Sequence, residues 1–169
     1  MKWTTLLGAL VALPVVLAVL GVLAGQLGLL RGNKPADLGV TEGRLKPPSL
    51  TRNSVSSQAS LYPDHPQRAY ADIAPFELHR QPPEVALDRL EALLRQRPDM
   101  VSVSRQGLYI HAEAQTRLMK YVDDLEFWFN PQRSVVEVRS ASRLGREDFA
   151  ANRQRLEALR TAYSEALQR

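Results

Sequence analysis

The feature that most constrains this chain stands at its start. From Trp3 to Leu30 no side chain carries a charge, and Leu6–Leu30 is almost entirely Leu, Val, Ala and Gly. Crossing a hydrocarbon layer of roughly 30 Å takes about 20 apolar residues, and this run supplies 25. The length predicts one transmembrane helix over residues 6–30, kept as an anchor. Pro14 is tolerated there, because a kinked helix in lipid still satisfies its other backbone groups. The competing reading is a cleavable export signal. Its apolar core is typically about 7–15 residues, shorter than this one, yet Val22-Leu23-Ala24 ahead of Gly25 has the small-residue character of a cleavage site. Basic residues flank the run on both sides, Lys2 before it and Arg31, Lys34, Arg44 and Lys46 after it. Taken literally, the positive-inside rule places the remainder in the cytoplasm, but long C-terminal domains translocate largely regardless of charge. The expectation is an inner-membrane protein that meets the lipid bilayer through residues 6–30, with its soluble domain on the extracytoplasmic side.

The sequence pI near 9.7 invites a nucleic-acid reading, and the distribution of charge removes it. Three of the 22 Lys and Arg (Lys2, Arg31 and Lys34) flank the apolar run, and all 18 acids follow Lys34, so residues 35–169 carry a net charge of +1. A nearly neutral domain offers little of the counterion release that drives nonspecific DNA binding. There is no cysteine, which excludes disulfides, thiol catalysis and Cys-ligated zinc.

Eight of the 11 prolines fall between Pro35 and Pro83. Leu38–Ser60 shows neither helical nor strand periodicity for long, and residues 35–60 read as a tether, either a Pro-rich spacer or an ordered arm in which Val55–Ala59 docks on the domain. Residues 61–169 form the soluble domain. Pro82-Pro83-Glu84 starts a helix, with Leu87, Leu90 and Leu94 on one stripe. The period then changes from 3.6 to 2. Val101 and Val103, Leu108–Gln115, Tyr121–Phe129 and Ser134–Ser140 alternate and are separated by turns, which predicts an antiparallel meander. A long helix follows from about Arg146 to Gln168, with Phe149, Leu156, Leu159, Tyr163 and Leu167 along one face. The predicted fold is α+β: an antiparallel sheet of about four strands, two helices packed on one face, and one transmembrane helix ahead of it.

This register gathers His111, Glu113, Asp124, Glu126, Glu137 and Arg139 on the face away from the helices. Their spacing matches no metal-ligand or nucleophile motif, and mixed charges on a strand face are ordinary cross-strand pairing. Asp123 points the other way, toward Leu125 and Phe127, and a buried carboxylate needs a partner; Arg117 and Arg143 are the candidates. The segment Arg139–Gly145 offers two Arg, two Ser and backbone amides ahead of a helix, a setting that can hold an anion, although Ser142 and Gly145 also suit a plain strand-to-helix turn. His65 and His79 carry no pattern. The candidate binding surface is therefore Arg117, Asp123, Asp124, Glu126, Arg139, Ser140, Ser142 and Arg143. Its arginines are suited to an anionic ligand or an envelope protein partner. No cofactor, metal ligand set or catalytic residue is assigned.

The blocks LGVTEGRL (Leu38–Leu45), NSVSSQA (Asn53–Ala59), YVDDLEFWF (Tyr121–Phe129), VEVRSASRLG (Val136–Gly145) and NRQRLEALR (Asn152–Arg160) resemble, in this order, the domain of unknown function family fourteen-ninety-nine. The resemblance covers Leu38 to Tyr163 and implies an envelope or membrane-associated protein without naming a reaction. It also implies that the Val55–Ala59 arm belongs to the domain. Relatives often carry a cysteine pair in the first arm; here the corresponding positions are Pro48 and Ser54, so no thiol role carries over. Three functions follow from these observations. The first is a non-enzymatic binding or assembly module. The second is a hydrolase, metal-dependent or carboxylate-based, using Asp123, Asp124, Glu126 and His111. The third is a purely structural envelope protein.

Overall fold

The computed structural model describes residues 3–168, with side chains from residue 12 onward. Lys2, counted above among the basic flanks, lies outside the described residues, as do the side chains at the start of the expected span. The first element, α1 (Trp3–Gln26), contains Pro14. Among the described residues no helix is long and apolar enough to cross a membrane. This corrects the transmembrane helix expected over residues 6–30. Helical structure ends at Gln26, and residues 27–30, counted in that span, form turns with Gly28 at φ +82. The C-terminal end of α1 docks on the domain. Gly25 is buried, and a Cβ there would lie 2.4 Å from the Met119 carbonyl oxygen, so only glycine permits this approach. Gln26 Nε2 donates to the Leu118 carbonyl at 3.0 Å beside it.

The domain is built on one antiparallel sheet of six strands. They are β1 (Ser54–Ser56), β2 (Phe76–Glu77), β3 (Met100–Gln106), β4 (Tyr109–Gln115), β5 (Val122–Asn130) and β6 (Val135–Ser142). The order is β1-β6-β5-β4-β3, and β2 pairs with the other end of β6. The expected count of four is corrected by β1 and β2. At three and two residues they are too short to show a period, and they join the sheet only because β6 offers a free edge. The meander β3–β6 follows from alternation. Ile110 opposes Phe127 and Ala112 opposes Leu125 on one face, whereas His111 opposes Glu126 and Glu113 opposes Asp124 on the other.

Helix α2 (Arg68–Ala71) is one short turn on the way to β2. Helices α3 (Pro83–Gln96) and α4 (Ala151–Gln168) cover the apolar sheet face. Leu87, Leu90 and Leu94 from α3 and Leu156 and Tyr163 from α4 are fully buried against Ile110, Leu125, Phe127, Val136 and Val138. Phe76 sits among them, 5.9 Å from Phe127 and 5.4 Å from Tyr163, ring centre to ring centre. The expected start of the last helix near Arg146 is also corrected. Phe149 and Ala150 have φ of +52 and +65, conformations no α-helix contains, so α4 begins at Ala151 and Phe149 lies outside its apolar stripe.

Candidate functional site

The sheet face away from the helices is covered as well. Residues 34–47 cross it, Ser57 just beyond β1 reaches Glu137, and most of the charged side chains that the register places there are closed off beneath them. Asp124, at the centre, receives two hydrogen bonds from Arg143 (Nε 2.8 Å, Nη2 2.7 Å), and its Oδ1 lies 2.9 Å from His111 Nε2. Arg143 also reaches Glu113 at 2.8 Å. Lys34, from the covering segment, lies 3.3 Å from His111 Nδ1. An ammonium can only donate, so Nδ1 accepts, and Nε2–H is the donor toward Asp124. Burial pushes the Asp124 carboxyl up, but hydrogen bonds from Arg143 and His111 and the charge of Arg143 outweigh it and hold the group at about 2. The same bond to Asp124 raises the Arg143 guanidinium above its ordinary value, against the opposing effect of burial.

Two further clusters continue along the face. Glu126 accepts from Arg139 Nη1 at 3.0 Å, from the Tyr109 hydroxyl at 2.9 Å and from the Gly39 backbone N–H at 2.8 Å. Burial, then the charge of Glu126, pushes the Tyr109 hydroxyl up. Glu137 accepts from the Ser57 hydroxyl at 2.6 Å, Asn130 Nδ2 at 3.0 Å and Arg133 Nη1 at 2.8 Å. Four carboxylates (Glu113, Asp124, Glu126 and Glu137) thus meet four cations (Lys34, Arg133, Arg139 and Arg143), and the face is neutral.

His111, Glu113 and Asp124 bring three ligand atoms within 4.8 Å of one another, close enough for a metal ion. The chemistry of the set does not fit one. The Arg143 guanidinium already bridges Glu113 and Asp124, and Lys34 occupies the remaining imidazole nitrogen. A metal would have to displace both cations.

The residues proposed from sequence as one binding surface are divided by the sheet. Asp124, Glu126, Arg139 and Arg143 lie in the clusters under the covering segment. Asp123, Ser140 and Ser142 lie on the helix-facing side, where Asp123 pairs with Arg155 of α4 at 2.8 Å. That partner is neither Arg117 nor Arg143. Ser140 hydrogen-bonds Asn152, whose Nδ2 donates to Ser142 Oγ at 3.0 Å. Arg117 is exposed in the β4–β5 loop and makes no ion pair among the described residues. His111 and Asp123, both invoked for the hydrolase reading, therefore sit on opposite faces.

Sequence reasoning missed Asn152 and Asn53. Asn152 is fully buried and ties the start of α4 to β6 and, through the Asn53 carbonyl at 3.2 Å, to the residue ahead of β1. Asn53 Nδ2 donates in turn to the Gly145 carbonyl at 2.7 Å. An asparagine in a helix reads as a surface residue, so only its place at the first turn could have drawn attention. Asn53 comes from a block 99 positions before the one that holds Asn152 and Arg155, and the two blocks meet here.

A family model described as "Protein of unknown function (DUF1499)" matches residues 44–163. The chain belongs to this family. The DUF1499 match takes in β1, all of the sheet and most of α4, so the fold and the three buried clusters lie almost wholly within it. No curated protein and no solved structure matches the chain.

One cavity stands apart from the closed clusters. At the end of the sheet where β5 begins and β6 ends, a cleft of about 510 Å³ is walled by Leu30, Tyr121, Leu144 and Phe149, with Asp123, Ser142 and Thr116 as polar lining. Phe149 is 85 % exposed at its rim. Asp148, also in the lining, accepts from the backbone N–H groups of Ala150 and Asn152 and from the Tyr70 hydroxyl. Burial, reinforced by that hydrogen bond, pushes the Tyr70 hydroxyl up to about 12.

Proposed function

We propose that this DUF1499 chain is a non-enzymatic binding module and that the cleft at the sheet end receives an apolar group of its ligand. The observation that carries the reading is the rim. Two consecutive non-glycine residues, Phe149 and Ala150, are held at positive φ. Each such residue costs on the order of 1–3 kcal/mol and persists where surrounding structure enforces it, most often at functional positions. Here the effect is to hold a phenyl ring out of the core and over a cavity whose size and mixture of apolar walls and few polar groups are those of small-ligand sites.

The reading is non-enzymatic because the acid and base groups are already engaged. Asp123 is paired with Arg155, Glu147 with Arg52, Asp148 caps α4, and Ser142 accepts from Asn152. No histidine lines the cleft. The charged clusters support the same reading from the other side, since their guanidinium groups are committed to carboxylates within the chain.

Titration with the neutral fluorophore N-phenyl-1-naphthylamine tests it. One saturable site per chain is expected, weakened roughly tenfold by Phe149→Ala and abolished by Leu144→Asp, because burying an apolar side chain contributes about 1.5–3 kcal/mol. Binding that both substitutions leave unchanged would remove the cleft as the site.

A further inference from the structure

The two loops that border the cleft, 116–121 and 143–150, lie at the same end of the sheet as the point where α1 meets the domain. Leu118 and Met119 touch Gln26 and Gly25, and Gly32 packs against Arg143 and Leu144. Five large apolar side chains stand exposed at this end: Leu27, Leu29, Leu118, Leu144 and Phe149. Interspersed with them are Arg31, Arg117, Lys120 and Arg146, none of which forms an ion pair among the described residues. The acids nearby are engaged: Glu113 with Arg143, Glu147 with Arg52, Asp123 with Arg155. Arg44, Arg68, Arg80, Arg89 and Arg153 also form no ion pair among the described residues, so what sets this end apart is four such cations standing beside five exposed apolar side chains.

We propose that this collar is a docking surface for an anionic lipid bilayer, with the apolar side chains entering the headgroup layer and the four cations meeting lipid phosphates. Exposed apolar groups and surface cations act together in such binding. Basic side chains are drawn to an anionic leaflet by an attraction that salt screens, and apolar contact adds a term that salt does not screen. The docking requires no helix to cross the bilayer, and it stands whether or not the cleft holds a ligand.

The chain has no cysteine, so a single engineered one reports its own surroundings. The full chain carrying Leu118→Cys, labelled with an environment-sensitive nitrobenzoxadiazole group, is mixed with vesicles of phosphatidylglycerol and phosphatidylcholine. Emission at position 118 should rise several-fold and shift to the blue, whereas a label at Gln132→Cys, in the turn at the opposite end of the sheet, should not respond. Charge reversal at Arg117, Lys120 and Arg146 together should weaken the response at least tenfold, as should raising salt from 50 to 300 mM. Phe149→Asp should weaken it further at any salt. A silent label at 118 on protein that nonetheless floats with vesicles would overturn the proposal and assign lipid binding to α1 alone. An equal response with pure phosphatidylcholine, or indifference to charge reversal, would also overturn it. A response to polyglutamate but not to vesicles would assign the surface to an acidic protein instead. Loss of the naphthylamine site in a variant that still docks would separate this surface from the cleft.

Discussion

The two faces of the sheet are buried by different physics. Toward the helices, Ile110, Leu125, Phe127, Val136 and Val138 pack against leucines and aromatic rings. Toward the covering segment, Asp124, Glu126, Glu137 and Arg139 are as inaccessible, at 3 % exposure or less. The first face is stable through area removed from water, which is non-directional. The second depends on each carboxylate meeting a cation or donor in a fixed place, because a buried charge without its partner is costly. The outer face should therefore tolerate paired replacement better than single loss, whereas the inner face has no such remedy.

That asymmetry can be broken by mutation. In urea unfolding, Phe127→Ala should cost about 3–5 kcal/mol as a cavity opens in the core. Arg139→Ala should cost a similar amount, about 3–5 kcal/mol, by leaving Glu126 buried and unpaired. The double replacement Glu126→Leu with Arg139→Met should recover most of that loss. If the double variant is as unstable as the single, the outer face is held by shape rather than by pairing.

Acid sharpens the contrast, since it acts chiefly on the outer face; toward the helices the buried carboxylate is Asp123. Asp124 is depressed from an ordinary 3.8 to about 2 in the folded chain. Its contribution is therefore complete above about pH 4 and lost as pH falls through about 2. By linkage it is worth roughly 2 kcal/mol. Stability measured from pH 5 to 1.5 should fall for the native chain and fall less for Asp124→Asn; parallel curves would show that this carboxylate is not the one titrating.

The smallest effect expected concerns a polar atom stranded on the apolar face. The Tyr163 hydroxyl is buried without a hydrogen-bond partner among the described residues, and burial alone pushes it up. Tyr163→Phe should leave stability unchanged or raise it by up to about 1 kcal/mol in thermal unfolding. A loss of more than that would mean the hydroxyl has a role that packing does not reveal.

Legibility in the sequence follows the same division. The inner face declares itself through period, because hydrophobic burial leaves a repeating mark at each position of β4, β5 and β6. The outer face does not. Alternating charges look alike whether they meet water or a covering segment, and residues 34–53 carry no period because they are irregular chain held by side chains and isolated backbone groups. Asp123 was readable as an inward-facing carboxylate, but Arg155 was not readable as its partner, since an arginine on a helix is expected at the surface. Phe149 shows the opposite failure. Its spacing fits the apolar stripe of α4, and only the backbone turn at 149–150 removes it from the core. The cleft was out of reach, as it is assembled from residue 30, the β4–β5 loop and the approach to α4.

The covering segment has a consequence for how the chain is made. Gly39, Ser57 and Asn53 bond to Glu126, Glu137 and Asn152, partners 80 to 99 positions later. A ribosome releases this stretch before its partners, and it must wait, unprotected, until residues 126–152 have emerged. Such distant closures are slow to form. The interval before they form is when a protease or chaperone would find residues 34–58 within reach.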